Sequence, residues 1–307
     1  MTMTDGILLL DKQPGETSTG CVEKVRKLFG KKLKTGHGGT LDSPASGLLA
    51  ILLGAATRLC PFVQCLPKVY EVMAQLGGIS DTDDASGHIR PGRCSDLPAA
   101  ETFERELLGF AGLRLQIPPD VSAIHVSGKR AHRLARSGET PRLSPRPVTI
   151  TSFSGVSGPD PGGVVRFRVS CHKGTYVRSL VRDLGNRLGC GAYVLSLKRL
   201  SIGGFRLEDA APLSSLLLSG EDAARQRLLA VDRLLDHFIV YRVPQELEGD
   251  IRNGKPIPRT SLQRLHWGLI PESGHVVLRT LNLVSFAMWE PPCHYRPDIV
   301  LSLEDRG

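Results

Sequence analysis

GHGGTLDSPASGLLAILLG, residues 36–54, joins a glycine-rich loop to an unbroken apolar run. The run Leu48–Leu53 has no polar alternation, so it reads as a central strand buried on both faces and stopped at Gly54. The loop before it carries one carboxylate, Asp42, among glycines and small hydroxyl residues, and it follows Lys31, Lys32 and Lys34. An acid beside basic residues, on backbone that a bulky ligand can approach, suits chemistry on a polyanion. Asp42-Ser-Pro is equally the start of an ordinary turn or helix cap. The spacing G-x-x-x-x-G-K-[ST] is missing, so the loop is not a nucleotide P-loop.

Outward from this loop the chain alternates irregularly. Gly6–Leu10 reads as a short buried strand turning at Pro14-Gly15. Thr17 or Ser18 can cap a helix with Val22, Val25 and Leu28 on one face. Residues 55–66 read as a helix, and 69–76 as a strand that runs into the acidic loop Asp81, Asp83, Asp84. Residues 91–117 read as a linker with a helix at 99–108. Residues 118–147 carry prolines and a dense basic cluster of Lys129, Arg130, Arg133, Arg136, Arg142 and Arg146. They read as an excursion with a short helix near 131–137. Residues 164–171 alternate as a strand, and 175–188 put Val177, Leu180, Val181, Leu184 and Leu188 on one helical face before Gly189. Residues 194–197 and 202–205 are further strand candidates. Composition shifts near 230–237, and a small β-rich region follows, with a turn at Asn253-Gly254-Lys255-Pro256 and a hairpin strand at 275–281. This order predicts an α+β mixed sheet, not a doubly wound parallel one.

The 307 residues suffice for one large domain or two. Lys and Arg outnumber Asp and Glu by 39 to 31, a formal charge of +8. The excess favours an acidic partner, most often nucleic acid. Aromatic residues are only 5%, so any stacking depends on a few rings. Seven cysteines with no C-x-x-C pair argue against a disulfide framework or zinc ribbon and for a reducing compartment. The Ile7–Leu10 run is too short for a signal peptide and Leu48–Leu53 too short to span a membrane. The cytoplasm is the expected location.

Three further segments offer chemistry. Lys68-Val-Tyr70 opens a strand with one aromatic ring. Cys171-His-Lys-Gly-Thr-Tyr-Val-Arg178 turns from strand to helix with Lys173, Tyr176 and Arg178. Ser196-Leu-Lys-Arg-Leu200 sets Leu197 beside Lys198 and Arg199. Each alone also reads as core aromatic, solvated charge or core leucine.

Together these segments resemble the TruB pseudouridine synthases of transfer RNA. The resembling blocks are GILLLDKQPGETS, GHGGTLDSPASGLLAILLG, KVYEVMAQLGGISDTDDASGHI, PPDVSAIHVSGKRAHRLARSG and CHKGTYVRSLVRDLGNRLGCGAYVLSLKRL, in order from Gly6 to about Phe205. The resemblance implies a pseudouridine-synthase mixed β-sheet with flanking helices over residues 1–237, an RNA-clamping insertion at 118–147, and a PUA-like RNA-binding domain at 238–307. It implies isomerisation of uridine to pseudouridine at position 55, in the T loop of tRNA, by a cytoplasmic enzyme. The target base would be flipped into the pocket, and neither cofactor, metal, membrane nor obligate protein partner would be needed.

By the same resemblance Asp42 is the catalytic residue of the H-x-G-T-L-D pattern, acting as nucleophile or as base. Arg178 would keep it ionised through a forked pair; at about 4 Å and an effective dielectric of 20 the attraction is roughly 4 kcal/mol before desolvation. Tyr70 would stack on the uracil and serve in proton transfer. Tyr176 and Leu197 would line the pocket, His37 would fill the space left in the RNA stack, and Lys12 would lie near the entrance. Thr40, Lys129 and Lys173 would contact RNA. Gly38 and Ser43 stand where Thr and Pro are commoner, and Val121 and His132 where aromatic residues are usual. The first two are expected to loosen the loop. The competing expectations are a guide-RNA-dependent synthase, for which the 118–147 excursion is superfluous, and a non-catalytic tRNA-binding or folding protein.

Overall fold

The computed structural model describes residues 5–92, 96–121, 125–126, 129–130, 143–271 and 273–303. They form two compact units, one of Met1–Ser43, Gly47–Leu66 and Ile202–Gly307, the other of Pro44–Ser46 and Pro67–Ser201. The fold class is α+β, with strands of both directions, flanking helices and a β-rich C-terminal sheet.

In the first unit the strand Gly6–Lys12 pairs antiparallel with Ser46–Leu53, from Gly6 opposite Leu53 to Lys12 opposite Gly47. The unbroken apolar sequence has a direct cause. Side chains alternate between faces, and each face has its own core. Ile7, Leu9, Leu48, Ala50 and Leu52 enter one cluster with Phe62, Val63 and Phe238. Leu8, Leu10, Leu49, Ile51 and Leu53 enter another with Cys21 and Val25 of the helix Ser18–Leu28 and Leu213 and Leu216 of the helix Leu213–Gln226. Thr17 caps the first of these helices by accepting from Gly20 N. Residues 55–66 are not one helix. A 3-10 turn, Gly54–Leu59, gives way to the helix Cys60–Cys65, with Pro61 in the first turn, where a missing N–H costs least.

The C-terminal part of this unit is a six-stranded sheet in the order Ile257–Pro258, His294–Ser302, Leu283–Glu290, Val276–Arg279, Val240–Arg242, Gln263–His266. It too is buried on both faces: Val240, Val277 and Phe286 join the Ile7 cluster, while Tyr241, Leu278 and Tyr295 join another with Ile251 and Ile257.

The second unit carries the strands Ala192–Ile202, Lys68–Leu76, Val164–Cys171, Arg146–Ser157 and Gly112–Gln116, in that order across the sheet. The last three pairings are antiparallel. One face packs Val72, Ala74, Phe167 and Val169 under Phe103 and Leu107 of the helix Ala100–Leu108 and Leu180, Val181 and Leu184 of the helix Val177–Leu188. Gly189, at φ 78°, ends the latter helix in the left-handed cap its sequence predicts. Two strand candidates, 194–197 and 202–205, resolve into one long strand and the short Phe205–Arg206. The helix expected near 131–137, and His132, lie outside the described residues.

Candidate active site

In the first unit Asp42 is half-buried in a loop fastened on both sides. Before it, Leu41 N donates to Ser18 Oγ at 2.8 Å, and Ser18 Oγ donates to Leu41 O at 2.9 Å. After it, Gly15 N donates to Ser43 O at 2.8 Å, and Ser43 Oγ donates to Gly15 O at 3.0 Å. The residues on either side of Asp42 are thus each tied by two hydrogen bonds to the turn and cap that open the first helix. Ser43 adds a tie that proline could not make.

Gly38 does not loosen the loop. Its N–H donates to Ala50 O at 2.8 Å, and a Cβ built on it would lie 2.2 Å from Val63 Cγ1. Val63 fills the space that a side chain at 38 would need. The expectation of a slack loop therefore fails, because the chain matches a small residue at 38 with a branched one at 63.

Lys12 is fully buried, with Nζ 3.0 Å from Gln13 O and 3.2 Å from Ser43 O. Its ammonium contributes to the ties around Asp42. His37 ends the short strand Thr35–His37, half-buried, and its Nδ1 accepts from Gly39 N at 3.3 Å. Thr40 is exposed.

In the second unit Arg178 is only 5% exposed, which excludes the solvated-charge reading. Its guanidinium donates to Thr82 O at 2.8 Å and to Val121 O at 3.0 Å, and lies 3.5 Å from Asp84 Oδ2. Asp84 is itself held rigidly. Its Oδ1 accepts from Thr82 Oγ1 at 2.8 Å, from Ser86 N at 2.9 Å and from Ser86 Oγ. Three donors on one oxygen leave the other for Arg178, a charge-assisted arrangement.

Tyr176 is the residue before the helix, and its backbone is pinned by Gln116: Tyr176 N donates to Gln116 Oε1 at 2.8 Å and Gln116 Nε2 donates to Tyr176 O at 3.0 Å. Tyr70 and Leu197 lie half-buried on neighbouring strands and pack against one core cluster. Arg199 is buried, whereas Lys173 is exposed in the turn before the helix. Lys129 lies in a two-residue strand, opposite Val126.

Sequence reasoning named Asp42, Tyr70, Tyr176, Arg178 and Leu197, with Lys12, His37, Thr40, Lys129 and Lys173 for RNA contact. It missed Gln116, read Ser18 only as a candidate helix cap and Asp84 only as part of an acidic loop, and passed over Thr82. Thr82 and Asp84 stood in a conspicuous acidic loop; Gln116 gave no signal, being one glutamine at the end of a strand. Among the described residues no group of three or more His, Cys, Asp or Glu could hold a metal ion, and no helix is long and apolar enough to cross a membrane.

Comparison with known proteins bears on this arrangement. Residues 26–177 match the family described as TruB family pseudouridylate synthase (N terminal domain), and residues 178–236 match the tRNA pseudouridylate synthase B C-terminal domain. The chain is similar to the tRNA pseudouridine synthase B of Ruegeria sp. strain TM1040, 42% identical over 252 residues, 82% of each chain. It is similar to that of Gluconacetobacter diazotrophicus, 42% identical over 272 residues, 88% of this chain and 86% of the relative. Among solved structures, one from a Cbf5-Nop10-Gar1 complex aligns with a TM-score of 0.74 at 25% identity, covering 100% of this chain and 87% of that one.

Proposed function

The chain belongs to the TruB family of pseudouridylate synthases, and from that membership we propose how its residues convert uridine to pseudouridine in tRNA. It is an isomerase acting on tRNA uridine. We propose that the target is uridine 55 of the T loop, that residues 1–237 catalyse, and that 238–307 form a PUA-like RNA-binding domain.

The reaction breaks the bond from ribose C1′ to uracil N1 and forms one from C1′ to C5, moving the C5 proton to N1. Atoms and electrons balance within the substrate. Asp42 opens the reaction, and wherever it acts first, at C1′, at the 2′ hydrogen or at the base, it must be ionised. The observation that carries this role is the double fastening of Leu41 and Ser43, which fixes the carboxylate's origin to within the play of four hydrogen bonds. Preorganisation of this kind lets a group act without reordering at the moment of reaction.

Arg178 supplies the compensating positive charge, and its own position is set by Asp84, Thr82 and Val121. Tyr70 stacks on the flipped uracil beside Leu197, and Tyr176 completes the lining. His37 occupies the gap the base leaves. Lys12, Thr40, Lys129 and Lys173 serve RNA positioning, Lys12 through Ser43.

The structural likeness to a protein of a Cbf5-Nop10-Gar1 complex favours, as second reading, a synthase that works only with partner molecules. One experiment tests both. Purified protein is given an unmodified tRNA transcript with no guide RNA, as wild type and as Asp42→Asn. Pseudouridine at the T-loop uridine from wild type, with at least 1,000-fold less from Asp42→Asn and tRNA affinity within threefold, is the expected outcome. Turnover by Asp42→Asn removes it as the catalytic group. No product from a wild type that binds tRNA turns the assignment to a partner-dependent enzyme or a tRNA-binding protein.

A further inference from the structure

The helix Val177–Leu188 presents Arg178 and, one turn later, Arg182 to the same loop. Arg182 makes a three-way contact. Nε donates to Asp183 Oδ1 at 2.9 Å, one terminal nitrogen donates to Asp83 Oδ2 at 2.9 Å, and the other to Ile117 O at 2.8 Å. Two arginines, four residues apart, thus meet two consecutive acids, Asp83 and Asp84, and also two carbonyls, Ile117 and Val121, where the 118–147 segment begins.

Consecutive side chains of extended backbone point to opposite sides. They meet one helix here because Asp83 is left-handed, at φ 61°, the one non-glycine residue with positive φ among the described residues. Aspartate tolerates this conformation better than most residues. The turn is held by Val194 N donating to Asp83 O at 3.0 Å and Ala85 N donating to Val194 O at 2.9 Å. Asp83 is 7% exposed. Its pair with Arg182 borders an open cavity of about 620 Å³ that Asp81, Arg90, Asp120 and Asn186 also line.

We propose that the Asp83–Arg182 ion pair is a positioning device for Arg178: it sets the loop that carries Thr82 and Asp84, and with it the start of the basic segment, against the helix. The inference rests on the reading of Arg178 given above. Neither residue touches substrate. The pair governs the rate at which bound RNA is converted, not how much RNA is bound.

The charged groups around Asp83 are Arg178, Arg182 and Asp183 on the helix, Asp81 and Asp84 in its own loop, and Arg90 and Asp120 across the cavity. Burial pushes the Asp83 carboxyl up to about 6, against the lowering by Arg182 and Arg178. Asp183, which burial also raises, contacts the same guanidinium. Below about pH 6 Asp83 takes a proton and its charge pair with Arg182 is lost.

The test is single-turnover pseudouridine formation at saturating enzyme, with tRNA affinity measured in parallel, from pH 5.5 to 7.5. Wild type should slow at least threefold towards pH 5.5. Asp83→Asn should be at least tenfold slower at pH 7.5, bind tRNA within threefold of wild type, and lack the limb near pH 6; a limb that survives in it comes from another group and overturns the proposal. Arg182→Met, which keeps the stem without the charge, should be as slow as Asp83→Asn, while Arg182→Lys should recover part of the rate. A wild-type rate in Arg182→Met or Asp83→Asn, or a loss wholly in affinity, overturns the inference and leaves Asp42 untouched. If those variants do not fold, the wild-type profile decides: a rate constant from pH 5.5 to 7.5 overturns it. No product from wild type at any pH overturns the reading of the site and this inference with it.

Discussion

The surroundings of Asp42 and of Arg178 are built differently. The Asp42 loop is held mainly by backbone amides, carbonyls and two serine hydroxyls, with one buried ammonium on a carbonyl. The Arg178 neighbourhood is held by the carboxylates of Asp83, Asp84 and Asp183 and the guanidiniums of Arg178 and Arg182. Neutral hydrogen bonds do not titrate between pH 4 and 9, and salt screens them little. Buried ion pairs titrate when burial moves a pKa, and losing one partner leaves an expensive charge behind. The ties of Leu41 and Ser43 on either side of Asp42 are therefore indifferent to pH, while the frame around Arg178 responds to it.

The sharpest way to break this contrast is Arg178→Ala. It strands the Asp84 carboxylate, which is 5% exposed, so the variant should lose about 3–5 kcal/mol of stability and, where folded, about 100-fold in turnover (about 2.7 kcal/mol) with little change in binding. Denaturant midpoints and single-turnover rates check both numbers. Stability within 1 kcal/mol of wild type would show that the three donors on Asp84 suffice alone, and the charge-built half of the comparison would fall.

The second test is stability against pH. Asp83 has a folded-state value of about 6, above the ~3.9 of an unfolded aspartate. The folded chain therefore holds the proton more tightly. Its contribution to stability is fully present below about pH 4 and is lost as pH rises through about 6, on the order of 2–3 kcal/mol. Asp83→Asn should flatten that part of the curve. Unchanged slopes in wild type and variant would mean the carboxyl titrates normally.

Much of this was legible in the sequence, and the exceptions have physical causes. The Leu48–Leu53 run announced a strand with a core on each side, and Gly189 announced the end of the helix that carries Arg178. The strand Gly112–Gln116 was hidden because its pattern is inverted: Leu113 and Leu115 are 77% and 71% exposed, while Gln116 is buried. Alternation rules assume that apolar residues point inward. Gln116 is inside because its amide pins Tyr176, sixty residues away, and no local pattern encodes such a partner. Three acids in one loop likewise read as equivalent; the left-handed turn at Asp83 lets Asp83 meet Arg182 and Asp84 meet Arg178, while Asp81 accepts from His88 N.

Gly38 sharpens the neutral half of the comparison. A threonine there is incompatible with Val63, so Gly38→Thr should cost about 1–3 kcal/mol by overpacking and should slow turnover by displacing the Asp42 loop. Val63→Ala in the same chain should return most of both losses. Gly38→Thr at full stability would mean Val63 moves aside freely, and the tight frame around Asp42 would be an overstatement.

The smallest expected effect separates the ties themselves. Ser18→Ala removes one hydroxyl that both donates to Leu41 O and accepts from Leu41 N, in a buried setting. The cost should be about 1–2 kcal/mol, since two buried backbone groups lose a partner. Ser43→Ala removes only a donor to Gly15 O, part-exposed, and should cost under about 1 kcal/mol. If the fastening of Leu41 positions Asp42, Ser18→Ala should slow the reaction of bound tRNA more than Ser43→Ala does, and by an equal factor at pH 6 and pH 8, because the hydroxyl, amide and carbonyl groups that make these two ties do not titrate between them. A loss that grows as pH falls would tie the Asp42 loop to the charged half of the molecule, and the division between the two frames would no longer hold.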